Sequence, residues 1–62
     1  MNTFLELRKY CNEQIEKYPD LKEDINDYFE LAKDETEQGG SKQHEINLCV
    51  SSIDQLINGD GD

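Results

Sequence analysis

Apolar residues recur along the chain at steps of three and four, the spacing that brings side chains to one face of an α-helix. The first such set ends at Tyr18, directly before Pro19, and proline is not accommodated inside a helix. Thr3 and Glu6 have the spacing of a capping box, in which each side chain accepts from a free amide at a helix start. The pattern therefore predicts a first helix over residues 3–17.

Two further periodic sets follow the proline. The second begins after Asp20, whose carboxylate suits a helix N-cap, and it fades before the glycine pair at 39–40. Ser41 is the expected N-cap of the third set, which has the most regular apolar stripe in the chain. These signals predict helices over residues 20–37 and 41–58.

The three apolar stripes define a candidate core and a fold class. The core candidates are Phe4, Leu7, Cys11, Ile15, Tyr18, Leu21, Ile25, Tyr28, Phe29, Ala32, Ile46, Cys49, Val50, Ile53, Leu56 and Ile57. Both connections are short, so neighbouring helices should run antiparallel. We expect an all-α protein, a small antiparallel three-helix bundle with a single domain at 1–58 and a frayed acidic tail at 59–62. The alternative is a helical hairpin that completes its core by dimerising.

Length and charge narrow the choice of partner. A chain of 62 residues buries a modest fraction of its surface, so its stability is marginal and homodimerisation would help it. Fifteen acidic and six basic residues give a net charge of −9. This field repels phosphates and anionic headgroups, which argues against direct binding to nucleic acid or membranes and favours a basic protein partner. Without a signal-peptide pattern or an apolar stretch of about 20 residues, we expect a cytoplasmic protein.

The candidate chemistry is sparse. His44-Glu45 resembles the start of a zinc-protease helix, but the second histidine of that motif would fall at Leu48. Cys11 and Cys49 each lack a nearby second ligand, and both fall on apolar faces. We therefore predict no catalytic, metal or cofactor-binding residues and no enzymatic activity. The two cysteines should be buried and reduced, and the alternatives are a disulfide and a redox or metal role.

The candidate partner surface combines charge with misplaced apolar side chains. It comprises Glu23, Asp27, Glu30, Asp34 and Glu37 on the second helix with His44 and Leu48 on the third. Carboxylates one turn apart are separated by about 4.5–6 Å along the helix, close to the interval between phosphates along a strand. A solvated face is the simpler interpretation of the row. Leu48 points away from the apolar stripe of its helix, and Leu5, Tyr10 and Leu31 lie off the centres of theirs. If these side chains converge, they form a patch for a partner or a second subunit.

One stretch carries a resemblance to known proteins. Residues 39–49, which read Gly-Gly-Ser-Lys-Gln-His-Glu-Ile-Asn-Leu-Cys, together with Ile53 and Leu56, resemble a pattern in small uncharacterised helical proteins of tailed bacteriophages. Turn, cap and core requirements explain most of the pattern, but they do not explain His44-Glu45. The resemblance implies a viral accessory protein made in the cytoplasm of a bacterial host.

Three functions fit these features. The first is a non-enzymatic protein–protein interaction module, such as a phage accessory or regulatory factor, that binds through a helical face. The second is a nucleic-acid mimic that inhibits a DNA- or RNA-binding protein with the acidic row. The third is a self-associating structural protein.

Overall fold

The chain folds through three consecutive α-helices. A computed structural model describes residues 1–59. The helices are α1 (Phe4–Lys17), α2 (Lys22–Glu37) and α3 (Lys42–Asn58). Residues 1–59 contain no β-strand, and a single chain supplies all three helices of the bundle. The predicted all-α three-helix bundle is confirmed.

Helix α1 begins at the predicted N-cap, Thr3, but the Glu6 carboxylate has a different hydrogen-bond partner from the one expected in a capping box. The Thr3 hydroxyl accepts a hydrogen bond from the Glu6 amide at 3.1 Å. In a capping box the carboxylate of Glu6 would return to the amide of Thr3; here it accepts from the amide of Asn2 at 2.7 Å. The carboxylate therefore ties down the residue that precedes the cap, and this hydrogen bond is the main reason why the pKa of Glu6 is lowered.

The connection between α1 and α2 corrects one prediction. Asp20 is not the N-cap of the second helix, because it lies inside a 3-10 turn at Pro19–Leu21. The Leu21 amide in this turn donates to the Tyr18 carbonyl at 2.9 Å. Proline suits the first position of a helical turn because its ring fixes φ and that position needs no amide donor. The turn therefore starts at Pro19, and α2 follows it with no side-chain cap.

Glycines shape the connection between α2 and α3. Gly39 has a φ of 111°, in the left-handed region that L side chains rarely adopt. A Cβ added to Gly40 would lie 2.8 Å from the Glu35 carbonyl oxygen, so only glycine fits there without a shift. Ser41 caps α3 as predicted, with its hydroxyl accepting from the His44 amide at 3.4 Å. Of the predicted tail, Gly59 ends α3; residues 60–62 lie outside the described range.

The core forms where the three stripes meet. Its buried members are Leu7, Cys11, Ile25, Phe29, Ala32, Ile46, Cys49 and Ile53. Tyr18, predicted to belong to it, is 40% exposed instead, because it is the C-cap of α1 and has left helical backbone angles. Tyr10, predicted to lie off the stripe, packs against the core. Phe4 and Phe29 meet edge to face, with ring centroids 6.2 Å apart.

Candidate functional site

The acidic row lies on the outer face of α2. Its five members, Glu23, Asp27, Glu30, Asp34 and Glu37, are all exposed, whereas the opposite face of the helix buries Ile25, Phe29 and Ala32. Like charges one turn apart weaken a helix by a few tenths of a kcal/mol per pair. The row therefore slightly destabilises α2, and its exposure to solvent keeps this cost small.

Two of the off-stripe leucines converge beside this row. Leu31 of α2 is 55% exposed and Leu48 of α3 is 49% exposed, and both line a groove between the two helices. The buried residues Ala32 and Cys49 form its floor. The remaining lining residues are Tyr28, Glu45 and Ser52. The groove therefore presents two large aliphatic side chains to solvent.

Carboxylates of both helices lie beside this groove. Asp27 lies four residues before Leu31 and Asp34 three residues after it, so both are its neighbours on the surface of α2. Glu35, four residues after Leu31, continues the rim, and Glu45 supplies a carboxylate from α3. Leu31 therefore lies between the acidic row and the groove. We call the groove alone, with the lining residues given above, the acidic groove.

The size of the acidic groove bears on what it can hold. Its volume is about 160 Å³, below the roughly 300–1,000 Å³ of pockets that enclose small-molecule ligands. A space of this size suits one or two apolar side chains anchored from a larger partner.

The other predicted surface residues are placed differently. His44 is exposed one turn before Leu48 on α3, but it does not line the groove. Leu5 is 75% exposed on α1, away from the groove-lining residues. Tyr10 is packed against the core, as described above. The structure therefore places Leu48 and Leu31 in one groove beside the acidic row, and Leu5 does not line that groove.

A second groove lies on the other side of α2, against α1. It is larger, about 700 Å³, and opens to solvent. Its lining residues are Arg8, Asn12, Glu13, Ile15, Glu16, Lys22, Asn26 and Glu30. Acids and bases are interleaved here, so this groove lacks the uniform charge of the first.

Arg8 of α1 contacts α2 across this second groove. Its guanidinium lies 4.3 Å from the centroid of the Phe29 ring, and it donates to the Asn26 side-chain oxygen at 3.0 Å. Lys33 approaches the same ring at 5.8 Å. Cation–π contacts of this kind contribute about 0.5–2 kcal/mol. Arg8 is not among the residues predicted from the sequence; its position four residues after Phe4, on the edge of the apolar stripe, is the signal that favours a role in packing.

The two cysteines lie in the core, as predicted, and both are free thiols. A hydrogen-bonding interaction with the Cys49 thiol lowers the pKa of Cys11, and the positive charge of Arg8 acts in the same direction. The same interaction raises the pKa of Cys49, as does its burial. The prediction of buried cysteines is confirmed, and the structure adds that the two thiols interact.

Residues 1–59 contain no group of three or more His, Cys, Asp or Glu side chains placed to hold a metal ion. None of the helices described has the length and apolar character required to cross a membrane. Comparisons of the chain with protein-family models, curated proteins and solved structures found no match.

Proposed function

We propose that this protein is a non-enzymatic interaction module that binds a basic amphipathic helix of a partner protein in the acidic groove. The observation that carries the proposal is the pairing of Leu31 with Leu48, both about half exposed, in a groove that Glu45 lines and that the acidic row adjoins. Isolated exposed leucines are common on protein surfaces, but two that share a groove form an apolar patch.

The shape of the site favours a helical partner. A groove between two adjacent helices accepts the ridge of a third, and amphipathic helices bind such grooves through apolar anchors spaced three or four residues apart. The volume of about 160 Å³ matches anchoring side chains and not a whole small molecule. Leu31 and Leu48 would contact the anchors from the two walls of the groove.

The charge of the site favours a basic partner over a second copy of the chain. A partner with lysines or arginines beside its anchors would face Asp27, Asp34 and Glu35 on one side and Glu45 on the other. A second copy would bring the same carboxylates against them, in a chain whose net charge is already −9. Complementary charge raises the association rate and selects the partner, and salt screens the effect.

A synthetic helix tests this proposal directly. The probe has leucines at helical spacing on one face and lysines on both flanks; a control peptide carries glutamates in place of the lysines. We expect the lysine peptide to bind, and Leu31→Ser with Leu48→Ser to weaken it at least about tenfold, equivalent to about 1.4 kcal/mol. Fluorescence anisotropy of the labelled peptide measures the affinity.

The controls separate groove binding from simple attraction between opposite charges. Leu5→Ser removes a more exposed leucine from α1 and should leave the affinity unchanged. If the double leucine variant binds the lysine peptide as tightly as wild type does, charge alone accounts for binding and the proposal is wrong. Self-association of the protein at the concentrations used, lost in the same variant, would instead assign the groove to a second copy.

The exposed acidic row supports a second candidate function, a nucleic-acid mimic that blocks a DNA- or RNA-binding protein. Its support is the unbroken exposure of five carboxylates along the outer face of α2. This function depends on charge and not on the leucines. Replacement of Glu23, Asp27, Glu30 and Asp34 by their amides should abolish salt-sensitive binding to a basic nucleic-acid-binding domain, and the leucine variant should retain it. Retained binding in the amide variant would end this candidate.

The biological setting is proposed from the resemblance of residues 39–56 to small phage proteins. It supports an accessory or regulatory factor that acts on a viral or host protein in the bacterial cytoplasm. Gly39, Gly40 and Ser41 serve the turn and the cap of α3, so the exposed His44 is the part of the pattern that structure does not explain.

A further inference from the structure

The two cysteines of the chain occupy the same buried core although they belong to different helices. Cys11 of α1 has no exposed surface, and Cys49 of α3 is 4% exposed. Both belong to the cluster formed by the three apolar stripes. Each cysteine fills core volume as a small hydrophobe, and the two together place a pair of thiols in one interior.

Contacts between α1 and α3 place the thiols at the same level of the bundle. The Gln43 side chain donates to the Met1 carbonyl at 3.0 Å, which brings the starts of the two helices to one end of the molecule. Cys11 and Cys49 each follow the first residue of their helix by seven positions, a rise of about 10 Å at 1.5 Å per residue. The thiols thus lie opposite each other and not at different heights.

A neighbouring group supports this placement. Burial is the largest cause that raises the pKa of Tyr10, and the charges of Asp54, Cys11 and Cys49 add to it. Tyr10 precedes Cys11 on α1 and packs against the core that contains Cys49. Tyr10, Cys11 and Cys49 therefore belong to one part of the core, between α1 and α3.

We propose that Cys11 and Cys49 are a redox pair that forms a reversible intramolecular disulfide between α1 and α3 when the protein meets a hydroperoxide. This inference is independent of the binding proposal, because it rests on the core and not on the acidic groove.

The chemistry requires one hydroperoxide per pair. The Cys11 thiolate attacks one peroxide oxygen and breaks the O–O bond, giving a sulfenic acid and, after proton uptake by the leaving oxygen, water. The Cys49 sulfur then attacks the Cys11 sulfur; the S–S bond forms, the S–O bond breaks, and the leaving hydroxide takes the Cys49 proton to give a second water. Two electrons pass from the sulfurs to the peroxide, so two thiols and one hydrogen peroxide give one disulfide and two waters.

The surroundings support this order of events. Cys11 is the better first nucleophile, because the Cys49 thiol and the charge of Arg8 both favour its thiolate. Cys49 retains a small exposed fraction, 4%, so the pair lies just beneath the molecular surface. The second thiol lies in the same buried core and at the same level of the bundle, so it reaches the sulfenic acid before a second peroxide does.

The disulfide should stabilise the fold. It would close a loop that contains the whole of α2, and cross-links over loops of this length restrict the unfolded chain. For a domain of this size the melting temperature should rise by at least about 10 °C. Reduction should return it to the starting value.

The experiment treats the reduced, folded chain with hydrogen peroxide at neutral pH without denaturant. We expect a monomer that has lost two hydrogen atoms by intact mass, a peptide map that links Cys11 to Cys49, the higher melting temperature, and reversal by dithiothreitol. Cys11→Ala and Cys49→Ala should each lack the thermal shift. If either variant fails to fold, the reversible thermal shift and the peptide map of the wild-type protein still show whether the Cys11–Cys49 disulfide forms.

Three outcomes would overturn the proposal. The first is a monomer that gains oxygen atoms and forms no disulfide. The second is a disulfide between two chains. The third is a cross-link that appears only after denaturant is added, which would show that the folded bundle does not bring the sulfurs within bonding reach.

Discussion

The two sides of α2 differ in whether other residues of the chain cover their apolar side chains and balance their charges. On the α1 side, Arg8 covers the Phe29 ring and bonds to Asn26, and acids alternate with bases along the groove. On the α3 side, Leu31 and Leu48 are half exposed and every charged group in contact with the groove or beside Leu31 is a carboxylate. One side carries its own counter-charges, and the other offers apolar area and negative charge without them.

The comparison shows why the larger groove is not the candidate binding site. The α1–α2 groove has about four times the volume, but Arg8 and Asn26 in its lining are hydrogen-bonded to each other and its acids and bases are interleaved. A partner there would have to replace interactions that the chain makes internally. A partner in the acidic groove would cover leucine surface, worth roughly 25 cal/mol per Å² of apolar area removed from water, and supply the missing positive charge.

The largest effect should come from the residue at the centre of the α1 side. Phe29→Ala removes a ring that contacts Phe4 and Arg8, and it should lower the free energy of unfolding by about 3–5 kcal/mol. In a domain this small the variant should be largely unfolded at 37 °C, which thermal denaturation followed by circular dichroism measures. A loss below about 1 kcal/mol would mean that the bundle is held together elsewhere.

Removing only the positive charge of Arg8 from the α1 side of α2 should cause a smaller loss in the free energy of unfolding. Arg8→Met keeps an unbranched stem but removes the contact with Phe29 and the hydrogen bond to Asn26, and should cost about 1–3 kcal/mol. Lys9→Met is the matched control, because Lys9 is exposed on the same helix. Equal urea denaturation curves for the two variants would contradict the role given to Arg8.

The leucines of the acidic groove should matter little for folding. Leu31→Ser and Leu48→Ser should each change the free energy of unfolding by less than about 1 kcal/mol, since half of each side chain is already in water. The same urea titration measures this. A loss comparable with that of Phe29→Ala would mean that the leucines belong to the core and that the two sides of α2 are alike.

The smallest effect concerns pH and lies at the start of α1. The folded pKa of Glu6 is below its ordinary value of 4.5, so the hydrogen bond to Asn2 stabilises the fold above that pH and is lost as the pH falls through the folded pKa. Glu6→Gln should lower the melting temperature slightly at neutral pH, and the difference from wild type should vanish in acid. A difference that is constant with pH would show that the ionised carboxylate is not the cause.

The fold could be predicted from the sequence because its signals are local. Helix periodicity, the Thr3 and Ser41 hydroxyls and the glycine pair at 39–40 act within a few residues, and the structure uses each of them. Asp20 was assigned wrongly because two local rules competed there. Proline started a turn of its own, and the acid fell inside it.

The site was only partly predictable because it depends on how the helices turn toward each other. Leu48 could be singled out from the pattern of α3 alone, but whether it meets Leu31 or Leu5 depends on the rotation of each helix in the bundle. The same holds for Arg8, whose position over Phe29 joins two helices. The interaction of the two thiols is likewise a tertiary property that spacing along the chain does not encode.

The most direct test of binding in the acidic groove is a chemical-shift footprint. Two-dimensional ¹H–¹⁵N NMR measures which backbone amides shift when the lysine-flanked peptide is added. Binding in the groove predicts shifts that centre on Leu31, Glu45, Leu48 and Ser52, with little change along the outer surface of α1. A footprint over the α1–α2 groove, or one spread evenly along the acidic row with the leucine amides unmoved, would contradict it.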